Sequence, residues 1–132
     1  MTAAHLAAAG ILDAAAVART VHGIAALQRP DGALPWFAGD KLDPWDHVES
    51  AMALDAAGEH EAARRAYLWL ARSQNADGSW YANYADAPDG VSEVVDATRE
   101  TNFAAYPAVG LYHHYLATAD RRLLSELWPT IV

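Results

Sequence analysis

Two stretches of this chain repeat at a constant offset of 46 residues: Arg19, Ile24, Gln28, Asp31 and Gly32 return as Arg65, Leu70, Gln74, Asp77 and Gly78. A period of this length marks arrays of helical hairpins, in which no unit can bury its apolar face alone and each stacks on its neighbour. Each copy closes an amphipathic helix and opens a turn. Glutamine at a helix end can donate to the carbonyls left without partners in the last turn, glycine supplies left-handed backbone, and an aromatic residue covers the turn. Trp80 follows Gly78 by two residues and Trp36 follows Gly32 by four, so the second copy is the more regular.

The rest of the chain fits around this repeat. Asp13 is an N-cap for a first helix carrying Val17, Val21, Ile24 and Leu27, which ends near Gln28 before Pro30-Asp31-Gly32. After a segment rich in Gly, Pro and Asp, Asp46-His47-Val48-Glu49 has the form of a capping box, opening a second helix that ends at Gly58. Residues Glu59 to Gln74 form a third helix with Ala63, Ala66, Tyr67 and Leu70 on one stripe, joined to the second by a tight turn. A long polar loop then runs from Asn75 to about Thr98. A fourth helix carries Phe103, Tyr106, Gly110, His114 and Ala117, with Pro107 bending it or delaying its start, and Asp120 caps a fifth. No period-two stretch bounded by hairpin turns appears, so the expected class is all-α.

Composition removes several classes of function. With 53% apolar residues in 132, a buried core is within reach, and with no cysteine neither disulfides nor a thiolate zinc site can form. The net charge of −8, from 17 acidic against 9 basic residues, comes without a basic run, which argues against nucleic-acid binding. No run of about 18 apolar residues occurs, so no transmembrane segment is expected. The alanine-rich start lacks the basic region of a secretory signal, which makes a cytoplasmic protein the default expectation. The last residues, Leu127 to Val132, read as an opening helix without a polar tail. The expectation is one truncated segment, residues 1–132, with repeat units near 19–36 and 65–80, the remainder of the chain missing.

The run from Arg65 to Trp80 resembles a full QW motif: a basic residue, a small one, an aromatic-aliphatic pair, Gln74, then Gly78-Ser79-Trp80. That motif marks the repeats of squalene and terpenoid cyclases. The resemblance implies the N-terminal part of an α/α-toroid, about two and a half of six helical hairpins. From Gln28 to Val132 the chain also resembles short actinobacterial proteins labelled prenyltransferase, and it is similar to the opening hairpins of glucoamylase-like six-hairpin glycosidases. In the latter a Trp-Arg-Asp or Trp-x-Arg-Asp element starts the first inner helix and holds the sugar. Here Trp45-Asp46-His47-Val48-Glu49 keeps Trp and Asp and lacks Arg. Thr118-Ala119-Asp120 leading to Leu127-Trp128-Pro129 is also similar to the glucoamylase-like pattern.

If the second and fourth helices are the inner ones of such a toroid, the loops Arg29 to Trp45 and Asn75 to Thr98 sit together at its mouth. The first candidate set is Trp36, Phe37, Asp40, Asp43, Trp45, Asp46, His47 and Glu49. Carboxylates beside tryptophans suit protonation of an alkene or a glycosidic oxygen, while aromatic faces stabilise a carbocation or stack on a sugar. The second set is Asp96, Arg99, Glu100, Thr101 and Asn102, at the start of the fourth helix. From these, Asp46, Glu49 and Glu100 are the catalytic candidates. Trp36, Phe37, Trp45, His47, Tyr81 and Asn102 are the substrate-binding candidates. The competing structural reading makes Asp46 and Glu49 a capping box, Asp40 and Asp43 a solvated turn, and the acids near Glu100 a favourable helix start.

His113 and His114 are adjacent and point to different sides of a helix, so they cannot chelate one metal, and one of them is expected in the core. The spacing of Asp40, Asp43 and Asp46 does not match a calcium loop. No metal site is assigned and no cofactor is named. Three functions share this fold: an isoprenoid-acting enzyme resembling prenyltransferases and cyclases, ranked narrowly first; a carbohydrate-active six-hairpin enzyme; and a non-catalytic binding toroid. The expected partner is accordingly a small-molecule isoprenoid or glycan.

Overall fold

The computed structural model describes residues 9–11 and 13–132; the alanine-rich opening stretch lies outside the described residues. The described elements are five helices and one small sheet: α1 (Ala14–Leu27), α2 (Pro44–Ala57), α3 (His60–Ser73), β1 (Asn83–Asp86), β2 (Ser92–Asp96), α4 (Thr101–Thr118) and α5 (Arg121–Ile131). No described helix is long and apolar enough to cross a membrane.

Helix ends follow short polar side chains. Asp13 accepts from the Ala15 amide at 2.9 Å, and Asp120 accepts from Arg122 and Leu123 at 2.9 and 3.0 Å, so both sequence-read caps hold. The cap of α2 is a correction. Asp43, not Asp46, takes the N-cap position and accepts from the Asp46 amide at 2.9 Å, because Pro44 starts the helix and has no N–H to lose. Asp46 therefore lies in the first turn with its carboxylate free of capping. Gly58, at φ 94°, ends α2 in the left-handed conformation and lets α3 fold straight back.

The repeat is a repeat of structure. In both copies the glutamine Nε2 donates to the glycine carbonyl at 3.1 Å, Gln28 to Gly32 and Gln74 to Gly78. The same amides reach a second helix, Gln28 to the Ala62 carbonyl of α3 at 2.8 Å and Gln74 to that of Thr130 in α5 at 2.9 Å, so each turn pins the helix after next. Trp80 is buried and donates to the Leu70 carbonyl at 2.9 Å. Its counterpart one period earlier is Leu34, also buried, which frees Trp36 from clamping the first copy.

The long loop is not structureless, and the all-α expectation is corrected to a mostly helical fold with a small sheet. Strands β1 and β2 pair antiparallel, Tyr84 opposite Val94 and Asp86 opposite Ser92. A two-stranded hairpin is marginal alone. Leu42 and Tyr84 exchange backbone hydrogen bonds of 2.8 and 2.9 Å, and Asp31 accepts from the Ser92 amide and hydroxyl at 3.1 and 2.8 Å. The two long loops thus meet at the end of the molecule where α1 and α3 finish and α2 and α4 begin.

Helix α4 runs through Pro107, which is buried, and starts at Thr101 without delay. It approaches α2 closely at Gly110, where a Cβ would lie 2.6 Å from Val48 Cγ1 and 2.8 Å from Tyr67 Cε1. Beneath that contact Asp55, 1% exposed, faces His114 Nδ1 at 2.9 Å, His60 Nδ1 at 3.0 Å and the Tyr67 hydroxyl at 3.4 Å. Burial and then the neighbouring Asp55 push the Tyr67 hydroxyl well above its ordinary range, so it donates. One buried carboxylate therefore joins α2, α3 and α4, and His114 is the core-facing member of the adjacent histidine pair.

Candidate functional site

A cleft of about 520 Å³ opens between the end of α1, the loop after it and the first turns of α2. Ile24 and Leu27 supply an apolar side, Trp36 and Phe37 an aromatic one, and Asp46 and Glu49 an acidic one. Pockets of this size with a few convergent polar groups are where ligands bind. Trp36 is held by its Nε1, which donates to Asp43 Oδ2 at 3.0 Å, and Lys41 Nζ lies 4.7 Å from its ring centroid. Phe37 is 69% exposed, a large apolar side chain with no place in the core.

The two carboxylates stand one turn apart on α2 and have different surroundings. Asp46 is held above the usual carboxylate range, first by desolvation, then by the negative charge of Asp43 and a hydrogen bond to it, and last by Glu49. Glu49 Oε1 accepts from Trp45 Nε1 and from the Tyr106 hydroxyl, both at 2.8 Å. The rings of Trp45 and Tyr106 stack at 4.2 Å and 13°, so α2 and α4 share an aromatic platform beside the cleft. Bonding to Glu49 raises the Tyr106 hydroxyl, keeping it protonated and donating. One environment favours a proton on a carboxyl and the other supplies donors to a carboxylate, a division of labour suited to acid–base chemistry.

The other sequence-read residues are spread more widely. His47 does not reach the cleft and is corrected to a core residue. Its Nδ1 accepts from the Leu34 amide at 3.1 Å and its Nε2 donates to the Ala66 carbonyl at 2.9 Å. Fully buried, its imidazole is pushed down to about 4 by desolvation, which outweighs the Ala66 carbonyl and the charges of Asp31 and Asp43. Tyr81 lines a separate cleft with Trp69 and Tyr84. Glu100 occupies the N-cap position of α4 but makes no side-chain cap bond, and it is exposed. Asn102 is exposed one turn before Tyr106, on the same side of α4. Thr101 is exposed too, Asp40 binds the Lys41 amide at 2.8 Å, and Asp96 binds that of Thr98 at 2.9 Å. Arg99 pairs with Asp77 at 2.7 Å and lies 5.4 Å from the Tyr81 ring.

Sequence reading missed Tyr106 as part of the site, because on a helical stripe it reads as packing. Its spacing from Asn102 was the available signal. Among the described residues no group of three or more His, Asp or Glu side chains converges as a metal site.

No family model matches the chain. A curated relative, the MMP endo-(1,4)-3-O-methyl-alpha-D-mannosidase of Mycolicibacterium hassiacum, is 47% identical over 122 residues, which are 92% of this chain and 33% of the relative. The chain thus spans about a third of the length of the curated relative it matches. The relative carries a glycosidase's name, and nothing in it supports the prenyltransferase or cyclase label.

Proposed function

We propose that this chain forms the opening hairpins of an α/α-toroid glycoside hydrolase that cleaves α-1,4-linked, 3-O-methylated mannose chains, and that its Asp46 cleft contributes to the active site. The observation that carries this reading is the 47% identity to an enzyme named for that reaction. The geometry agrees with it: an aromatic wall, a carboxyl whose hold on its proton is raised by desolvation and by Asp43, and a second carboxyl supplied with donors line one cleft. The QW-like turn is accounted for by helix-to-helix pinning and gives the isoprenoid reading no chemical support.

Asp46 is the general acid. Its proton goes to the glycosidic oxygen as the C1–O bond breaks, and water supplies the hydroxyl that C1 gains. Glu49, one turn from Asp46 on the same helix, is assigned a supporting role and not that of the opposing carboxylate. Its role is to fix Trp45 and Tyr106 as the stacking platform and to stabilise positive charge developing at C1. The water-activating carboxylate lies on another element, about 6.5–9.5 Å across the sugar if configuration inverts. Within this chain Glu100, at the start of α4, is the candidate. Trp36, Phe37 and Trp45 hold the sugar, with Asn102 beside them for a hydroxyl.

The test is hydrolysis of a 3-O-methylated α-1,4-mannose oligosaccharide by the full-length protein. Asp46→Asn is expected to lower kcat by about 10²–10⁴ with the substrate still bound. Unchanged turnover in that variant, or turnover of isoprenyl diphosphates in place of the mannoside, overturns the reading.

A further inference from the structure

A second cleft, of about 430 Å³, opens between the last turns of α3 and the β-hairpin. It shares no lining residue with the Asp46 cleft but opens at the same end of the bundle. Trp69 and Tyr84 form its floor, their rings edge-to-face at 5.1 Å, with Tyr81 beside them. Val91 and Val94 of the hairpin form its wall, 57% and 43% exposed. These valines have no packing role, and exposed apolar side chains gathered on one cleft mark a binding surface.

The cleft is prebuilt, and its polar atoms are largely spoken for. Trp69 Nε1 donates to Ser92 Oγ at 3.1 Å, and Ser92 in turn donates to Asp31. The Tyr84 hydroxyl accepts from the Tyr81 amide at 3.0 Å and faces the Ser73 carbonyl. What remains toward a ligand is chiefly aromatic carbon and methyl groups, with the Tyr81 hydroxyl, Asp31 and Arg72 as the polar groups of the lining. A fully hydroxylated sugar ring would bring hydroxyl donors that this floor cannot satisfy, at a cost in desolvation. Converting a hydroxyl to a methyl ether removes the donor and adds an apolar group that matches the valines.

We propose that this second cleft binds an O-methylated sugar ring, with its methyl ether against Val91, Val94 and Tyr81. The inference rests on the glycan reading above and assigns recognition of the methyl group to a site apart from Asp46.

The test is equilibrium binding to the full-length protein of methyl 3-O-methyl-α-D-mannopyranoside and of methyl α-D-mannopyranoside, with saturation-transfer NMR reporting the methyl-ether protons. The methylated sugar is expected to bind about fivefold more tightly than the unmethylated one. Val94→Asp and Tyr81→Ala should each weaken it by about fivefold. Val94 is exposed, so Val94→Asp leaves the core intact, and an unchanged thermal melt separates lost binding from lost folding. If Trp36→Ala abolishes binding and the other two variants do not affect it, the second-cleft assignment fails while the glycan reading stands. Equal affinity for the two mannosides overturns methyl recognition. No binding of either sugar by a protein that still hydrolyses the 3-O-methylated oligosaccharide overturns the second-cleft assignment alone, and loss of hydrolysis as well overturns both readings.

Discussion

At the residue scale, burial separates two groups that stand side by side on α2. His47 gives both ring nitrogens to backbone, so only the Nε2–H neutral tautomer satisfies the Leu34 amide and the Ala66 carbonyl at once. Its folded value of about 4 lies below the ordinary 6.5, so the unfolded chain binds the proton more readily. The stability this contributes is complete above about pH 6.5 and falls as the pH drops toward 4, by about 3 kcal/mol over that window. Urea unfolding at pH 7.5 and pH 4.5 should show the loss, and His47→Leu should remove that pH dependence. His47→Leu also leaves a buried amide and carbonyl unpartnered, at a cost of about 2–4 kcal/mol at neutral pH. Asp46 runs the other way. Folding raises its carboxyl, so what it adds to stability is present below the unfolded value and lost as the pH rises through the folded one. Asp46→Asn is therefore expected to lower activity and yet raise the neutral-pH melting temperature. A residue that stabilised α2 as a cap would lower it, and that result would return Asp46 to a structural role.

At the element scale, the two copies of the repeat turn have the same hydrogen bonds and different surroundings. Gly32 and Gly78 both take left-handed backbone, at φ 95° and 82°. A Cβ on Gly32 would lie 2.4 Å from the Arg65 carbonyl oxygen, whereas on Gly78 the nearest atom is Gln74 Nε2 at 3.9 Å. Gly78→Ala should thus cost about 1–2 kcal/mol of backbone strain. Gly32→Ala should cost about 3 kcal/mol or more, since backbone must move as well. Equal costs by chemical denaturation would mean that the α3 backbone yields at Arg65. This pair also shows what was legible in the sequence. The offset of 46, the caps Asp13 and Asp120 and the helix pairing are local patterns, and local patterns survive into structure. That Leu34 and not Trp36 is the counterpart of Trp80 follows from counting residues, yet the eye goes to tryptophan. The hairpin escaped because β2 is exposed along most of its length and so has no alternation to read. Pro88-Asp89-Gly90, ahead of Val91, was its one turn signal. The site was legible in its residue types and not in its grouping, since Tyr81, His47 and Asp46 separate only once α3 and the hairpin close over the loops.

At the scale of the whole molecule, stability is unevenly distributed, and the Asp46 cleft lies across the gradient. Helices α2, α3 and α4 share the Asp55 cluster and the close approach at Gly110, whereas α1 contains no buried residue and packs chiefly against α2. Its far end is secured all the same: Gln28 bonds the Ala62 carbonyl, and Arg65 donates to Gln28 Oε1. Regions with few buried contacts open locally, without global unfolding. Amides from Val17 to Val21 should therefore exchange hydrogen at least about 100-fold faster than those from Ala51 to Leu54, with protection rising toward Leu27. Uniform protection along α1 would mean that it folds as one unit with α2. The gradient matters for binding because Ile24 and Leu27 line the Asp46 cleft near the pinned end. A sugar seated there binds the closed form of α1 and not the open one, so it must raise the free energy of opening. Added oligosaccharide should slow exchange over Ile24 to Leu27, and a ligand held only in the hairpin cleft should leave α1 unchanged, so the same exchange map separates the two clefts.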